Sequence, residues 1–189
     1  MTGLRMFVSK TMRARLVNNS QPWQTDREYN RYIIWFIYCC VIYSIIGFSW
    51  GVVVGSYEDL RLFINKYHYG KNIMLAHAHL NLLGWVEMAI FAAIYYIVPR
   101  VVQRSIYSLK LVKVHFWIHN IGLLGMVMFF TMAGVIGGVA AGDGVDPDTI
   151  KNMVKPWMIT MGLFGTLVLL ANLIWAYNLF RTCNSWVRK

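Results

Sequence analysis

Charge is scarce in this chain, and negative charge scarcer still. Of its 189 residues only 14% are charged, eight acidic against eighteen basic, for a formal net charge of +10. An ordinary soluble domain carries about a quarter of its residues as Asp, Glu, Lys and Arg. That shortage, with 58% hydrophobic residues and a mean hydropathy of +0.48, places the chain in the membrane class. Cysteine is nearly lacking. Cys39, Cys40 and Cys183 are odd in number, and two are adjacent inside an apolar run, so no disulfide framework is expected. No small-residue cleavage site follows a short apolar run, so the first span is expected to stay in the protein as an anchor. The basic residues cluster at segment ends and the basic tail runs straight into hydrophobic spans. They read as topology signals, and no nucleic-acid partner is expected.

What is present is four long apolar runs, roughly 32–55, 73–98, 114–140 and 156–180. Each is long enough to cross a hydrocarbon core of about 30 Å as a helix rising about 1.5 Å per residue. The predicted fold is all-α, an integral membrane four-helix bundle over residues 32–189, preceded by a basic segment over residues 1–31. Pro99-Arg100 closes the second run and Lys155-Pro156 opens the fourth. Arg5, Lys10, Arg13, Arg15, Arg27 and Arg31 precede the first run. Arg100, Arg104, Lys110 and Lys113 lie between the second and third, and Arg181, Arg188 and Lys189 follow the fourth. The other two loops hold Glu58, Asp59, Asp143, Asp146 and Asp148. The positive-inside rule then puts both termini in the cytoplasm. Trp35, Trp50, Trp157, Trp175 and Trp186 lie near span ends, as interface anchors do. The opening "MTGLRMFVSKTMRARLV" reads either as an amphipathic helix on the inner leaflet or as a basic tail.

Ionisable groups inside a span are expensive and default to a functional hypothesis. The second run, "MLAHAHLNLLGWVEMAIFAAIYYIVP", carries three: His77, His79 and Glu87. At about 100° per residue, His77 and His79 point about 200° apart. That spacing does not suit one metal ion bound on one face. It suits two partners, one on each side, and a flat apolar partner whose iron accepts an imidazole nitrogen is heme. The competing reading is a hydrogen bond from each His to a neighbouring carbonyl. Asn81, Gly84 and Tyr95 share the His77 face; Leu82 and Val86 lie on the His79 side. Glu87 falls near the midplane, as a proton relay, as the partner of a buried cation on another subunit, or as a neutral acid bonded to a carbonyl.

In the third run His115 and His119 share one face, continued by Gly122, Met126, Ala133 and Gly137. A line of small residues permits a tight helix contact or a flat macrocycle. His115 is near enough to the interface for snorkelling to water to be its expected role. His119 is deeper and is a candidate axial ligand. His79 and His119 should differ in depth by roughly 20 Å along antiparallel helices, so they cannot bracket one heme within the chain. Spans one and four hold no histidine. A bis-histidine site therefore needs a second chain. His68, beside Tyr67 and Tyr69 in a loop, is expected to be solvated.

"HAHLNLLGWVEMAIFAAIYYIVPR", then "YSLKLVKVHFWIHNIG", then a fourth span ending "AYNLFRT" resembles the last three helices of the catalytic subunit of cbb3-type cytochrome c oxidases. Nitric oxide reductases of the same heme–copper oxidase superfamily share parts of the pattern. The resemblance covers roughly residues 73 to 182. It implies that His77 matches the ligand of the high-spin heme and His79 that of the low-spin heme. His119 and Glu87 lie outside the pattern. The helices that supply the copper ligands and the second low-spin ligand are not in this sequence, so no copper site and no catalytic residue are expected in it.

The expected function is therefore a heme b-binding membrane subunit that carries electrons within a respiratory or oxidoreductase complex. It would hold one or two non-covalent hemes on His77 and His79, with His115 and His119 as further candidates. The expected partners are the lipid bilayer, and other membrane subunits or a second copy supplying the missing ligands. A cytochrome c or other redox partner on the outer side is a further candidate, and the expected location is a bacterial cytoplasmic membrane. Two alternatives stand beside it: a catalytic heme site that reduces oxygen or nitric oxide, completed by a partner or a second copy, and a heme-free assembly or scaffold subunit.

Overall fold

The computed structural model describes residues 27–187, with side chains described as far as residue 184. The basic opening segment through residue 26, Trp186, Arg188 and Lys189 lie outside the described side chains. The described elements are all helices: α1 (Arg27–Ser56), α2 (Glu58–Lys66), α3 (Lys71–His79), a π-helical segment (Leu80–Val86), α4 (Glu87–Val101), α5 (Leu109–Gly142) and α6 (Pro147–Val187). The run α3–π–α4 is one continuous rod. Among the described residues, four helices are long and apolar enough to cross a membrane: α1, the α3–α4 rod, α5 and α6. They alternate in direction, so Arg27 and Val187, the ends of the described chain, lie at one end of the molecule.

The helices overrun the apolar stretches that announce them. The first is helical from Arg27, the first described residue, and Glu28 on that turn pairs with Lys113 at 2.5 Å. The fourth begins at Pro147 and passes through Pro156 without ending. Its start is set by Asp146, whose Oδ1 accepts from the Thr149 amide at 3.0 Å, with Pro at the first helical position where no amide is needed. The helix α5 starts at Ser108, whose hydroxyl accepts from the Leu111 amide, and stops at Gly144, where φ is +78°. There the amides of Gly144 and Val145 return to the carbonyls of Ala141 and Ala140.

The rod and α5 form the centre. The helix α1 packs along the rod, and α6 packs along α5. Small residues set those distances. A Cβ on Gly84 would lie 2.9 Å from the Tyr43 ring of α1, and one on Gly125 would lie 2.1 Å from the Phe164 ring of α6. The stripe of small residues on α5 is thus a helix-packing surface. Gly122 receives Phe164 and Val168, and Gly137 receives Tyr69 and Val154.

The loop after α1 contains a short helix, α2, that the sequence pattern leaves as loop. It buries Ile64 against Val54 and Ile73, and Phe63 closes over Gly138. At the opposite end, the segment before α5 is tied to α6. Asn178 brackets Ser108, accepting from its amide and donating to its carbonyl, each at 3.0 Å, and Thr182 Oγ1 accepts from the Tyr107 amide. Asn178 and Thr182 are both buried. They belong to "AYNLFRT", so that stretch has a positional role visible in the fold.

Candidate functional site

The five histidines fall into three environments. His68 is exposed beside Tyr69. His77 and His79 are half-buried near the loop end of the rod. His115 and His119 are completely buried nearer the end that carries the termini.

On the rod, His77 turns toward α1. A Cβ on Gly51 would lie 3.3 Å from its Cε1, and the Trp50 ring centroid is 6.2 Å away. Asn81, one turn on, donates to the His77 carbonyl at 2.9 Å, and its amide nitrogen lies 3.3 Å from His77 Nδ1. Asn81 is itself wedged against Gly47, where a Cβ would meet its Oδ1 at 2.3 Å. The His77 ring is therefore held between α1 and Asn81.

His79 is placed differently. Its Nδ1 lies 2.7 Å from the Leu75 carbonyl and donates to it, which puts the lone pair on Nε2. A histidine whose second ring nitrogen is bonded to a carbonyl is fixed in tautomer and orientation in the manner of metal-ligating imidazoles. Its ring stands 5.1 Å from Phe130 of α5. Leu75 and Leu82, one turn to either side, are 44% and 62% exposed, so His79 lies on an apolar edge of the molecule. These residues fit a single axial heme ligand at an open edge. His77, packed under Asn81 and Gly51, would have to give up that packing to ligate. Among the described residues no three His, Cys, Asp or Glu side chains gather as a protein-only metal site.

The π-helical turn that follows His79 has a visible use. The Glu87 amide bonds to the Leu82 carbonyl, five residues back, and not to Leu83. The Leu83 carbonyl accepts instead from His119 Nε2 across the helix interface, at 3.1 Å. Hydrophobic periodicity cannot reveal this turn, because the residues on either side are equally apolar.

His115 does not snorkel. It is 0% exposed, walled by Phe36 at 5.3 Å and Phe91 at 4.4 Å, with Nδ1 3.0 Å from the Tyr95 hydroxyl. The expectation failed because Phe36 of α1 and Phe91 and Tyr95 of α4 close around the ring, and Tyr29, just before the expected first run, lies over Tyr95. The Tyr29 hydroxyl donates to the Tyr95 carbonyl, which closes the lid. His119 is also 0% exposed, 5.2 Å from Phe91 and with Nε2 3.7 Å from Glu87 Oε2. The flanks of His119 are filled: Gly122 and Gly125 are covered by Phe164 and Val168. No flat face there is open to a macrocycle. His79 meets α5 at Phe130, and at about 1.5 Å per residue Phe130 stands roughly 16 Å along the helix from His119. The two pairs are separate sites.

A family model described as Cytochrome C and Quinol oxidase polypeptide I matches residues 11–167. The chain belongs to that family. It is similar to cytochrome c oxidase subunit 1 of Rhodobacter capsulatus, 34% identical over 128 residues, which cover 63% of this chain and 24% of that protein. It is similar to the bacteroid cytochrome c oxidase subunit 1 homolog of Bradyrhizobium diazoefficiens, 28% identical over 151 residues, 75% of this chain and 27% of the relative. It is also similar to the cbb3-type cytochrome c oxidase subunit CcoN1 of Stutzerimonas stutzeri, 26% identical over 127 residues, 63% of this chain and 27% of the relative. The chain thus spans about a quarter of the length of the curated relatives it matches. With four helices among the described residues long and apolar enough to span a membrane, it is a multi-pass membrane protein of the subunit I type, in a family with a heme-binding redox role.

Proposed function

We propose that the chain is a heme b-binding membrane subunit that carries electrons within a respiratory or oxidoreductase complex, with His79 as the principal iron ligand. The observation that supports it most is the His79 geometry: Nδ1 committed to the Leu75 carbonyl at 2.7 Å, Nε2 left as the ligating atom, and an apolar edge beside it. Heme would supply a one-electron couple to this edge when bound. The chain's own contribution is to fix the imidazole tautomer, keep Phe130 against the ring and exclude water with Leu75 and Leu82. His77 is the second candidate, on the opposite side of the rod, and engages iron once Asn81 is displaced. We assign no iron to His115 or His119.

The second ligand on the His79 side comes from another membrane subunit or a second copy, since α1 and α6 hold no histidine. Both termini face the cytoplasm of a bacterial cell, and the loop end faces outward, where a redox partner such as a cytochrome c would dock. A sharper and less supported form makes the His77 side an open heme face that reduces a small gas. The test is the absorbance spectrum of the purified, partner-complete protein with iron per chain. Soret and reduced α-bands are expected, and a protein without iron would turn the reading to a heme-free scaffold. A shift with carbon monoxide would identify an open face. The bonding of His77 to Asn81 favours the scaffold reading for that residue alone.

A further inference from the structure

Several basic side chains find partners within the chain. Arg31 and Lys113 pair with Glu28, Lys66 and Arg100 lie over the rings of Tyr67 and Tyr96, and Arg181 lies over Tyr107. Lys151 and Lys155 differ. Both are exposed, and neither has an ion pair, a hydrogen bond or a ring contact among the described residues. They stand one turn apart on one face of α6, about 6 Å along its axis. A single lysine at a membrane boundary is explained by snorkelling to water. Two on one face, beside a formed groove, ask for a shared partner.

That groove measures about 660 Å³ and lies at the loop end, between the start of α6 and Tyr69. The buried Val154 forms its floor. Tyr69 and Val154 both close on Gly137 of α5, where a Cβ would lie 2.5 Å from the Tyr69 Cβ and 2.9 Å from Val154 Cγ2. One wall and the floor are thus fixed by core packing. Along α6 the lining changes character. Asp148 stands at the rim, Lys151 and Lys155 follow, and Ile159 comes next. Leu163, a further turn along the row of Lys155 and Ile159, is exposed. Lys155-Pro156 opens the apolar run, so the lysines lie at the membrane boundary and Ile159 and Leu163 lie inside it. Two lysines against one aspartate leave a single positive charge. A ligand with one negative charge at the boundary and an apolar tail beneath it matches that order.

We propose that this groove binds a phospholipid of single negative charge from the leaflet on the loop side. Its phosphate lies between Lys151 and Lys155, and an acyl chain runs along Ile159 and Leu163. The headgroup beyond the phosphate is uncharged, as in phosphatidylglycerol, because a carboxylate there would meet Asp148. A lipid seated in this way bridges α6 and the segment that leads into α3. Neither His77 nor His79 lines the groove, so the site stands apart from the heme reading.

The test is native mass spectrometry of the full chain released from detergent that holds equal amounts of phosphatidylglycerol and phosphatidylcholine. The readout is the ratio of the two singly lipidated forms. Phosphatidylglycerol should dominate in the parent. Lys151→Gln and Lys155→Gln should each lower the ratio about fivefold, the contribution of one lysine to an anionic headgroup, and the double variant should lower it roughly 25-fold. Lys71→Gln removes the same charge at the same end but outside the groove, and should leave the ratio unchanged. An equal loss in Lys71→Gln, or no loss in the double variant, overturns the site. Preincubation with excess inorganic phosphate separates a lipid from a free anion. The ratio should not change, and phosphate that displaces phosphatidylglycerol overturns the lipid assignment.

Discussion

The two histidine pairs of this protein sit on adjacent helices and share almost nothing else. His77 and His79 lie two residues apart, half-buried, one turned to α1 and the other to an open apolar edge. His115 and His119 lie one turn apart, 0% exposed, sealed among Phe36, Phe91, Phe116 and Trp175. The first arrangement can accept a large flat partner from outside the chain. The second has no room for one. Sequence spacing alone separates the pairs by angle; the environment separates them by burial and by what can reach them.

Substitutions can break or sharpen that contrast. The largest effect is expected in the sealed pair. His119→Ala leaves a cavity among aromatic rings and loses the bond to the Leu83 carbonyl, and should destabilise by about 3 kcal/mol. His79→Ala, on a half-exposed edge, should change the stability of the heme-free chain by less than about 1 kcal/mol. Thermal unfolding in one detergent compares the two, and equal losses would erase the distinction. Next comes the packing that holds the sealed pair in place. Gly125→Leu drives a side chain into Phe164 and should cost about 1–3 kcal/mol. Gly162→Leu, with nothing within 4 Å of its Cβ position, should be neutral in the same assay. Smaller again is Tyr43→Phe, which leaves the buried Asn120 Oδ1 without its 2.7 Å donor, for about 1 kcal/mol. Smallest is Lys113→Met, which removes a partly exposed ion pair worth at most about 1 kcal/mol, weaker in high salt.

One pH effect lies outside the membrane spans. The side chain and amide of Thr149 hold the Asp146 carboxyl below its ordinary value. The cap therefore stabilises the start of α6 above the ordinary aspartate range and loses that contribution as pH falls through the lowered value. Amide exchange at Thr149, measured at neutral and strongly acid pH, should show local fraying at the acid end. Equal protection at both would contradict it.

The four spans were legible because a bilayer demands long apolar helices and the sequence supplies four runs of that length. The divergent aim of His77 and His79 was legible from helical geometry, and the "HAHLNLLGW" and "HFWIHN" stretches carried the family. The burial of His115 was not, because it depends on which faces of α1 and α4 turn inward, bringing Phe36, Phe91 and Tyr95 around one ring. Nor was the π-helical turn, whose signal is a backbone bond from Glu87 to Leu82 that no side chain announces. The short helix α2 escaped for a related reason: its pattern is mostly polar, and Leu60, Phe63 and Ile64 find their partners on the flanking helices and on α5.

The account turns on which pair holds iron. Reduced-minus-oxidised spectra of the partner-complete protein, recorded for the parent, His79→Ala and His119→Phe, decide it most directly. The account predicts low-spin α-bands in the parent, their loss in His79→Ala, and their retention in His119→Phe. Bands that survive in His79→Ala and vanish in His119→Phe would contradict it.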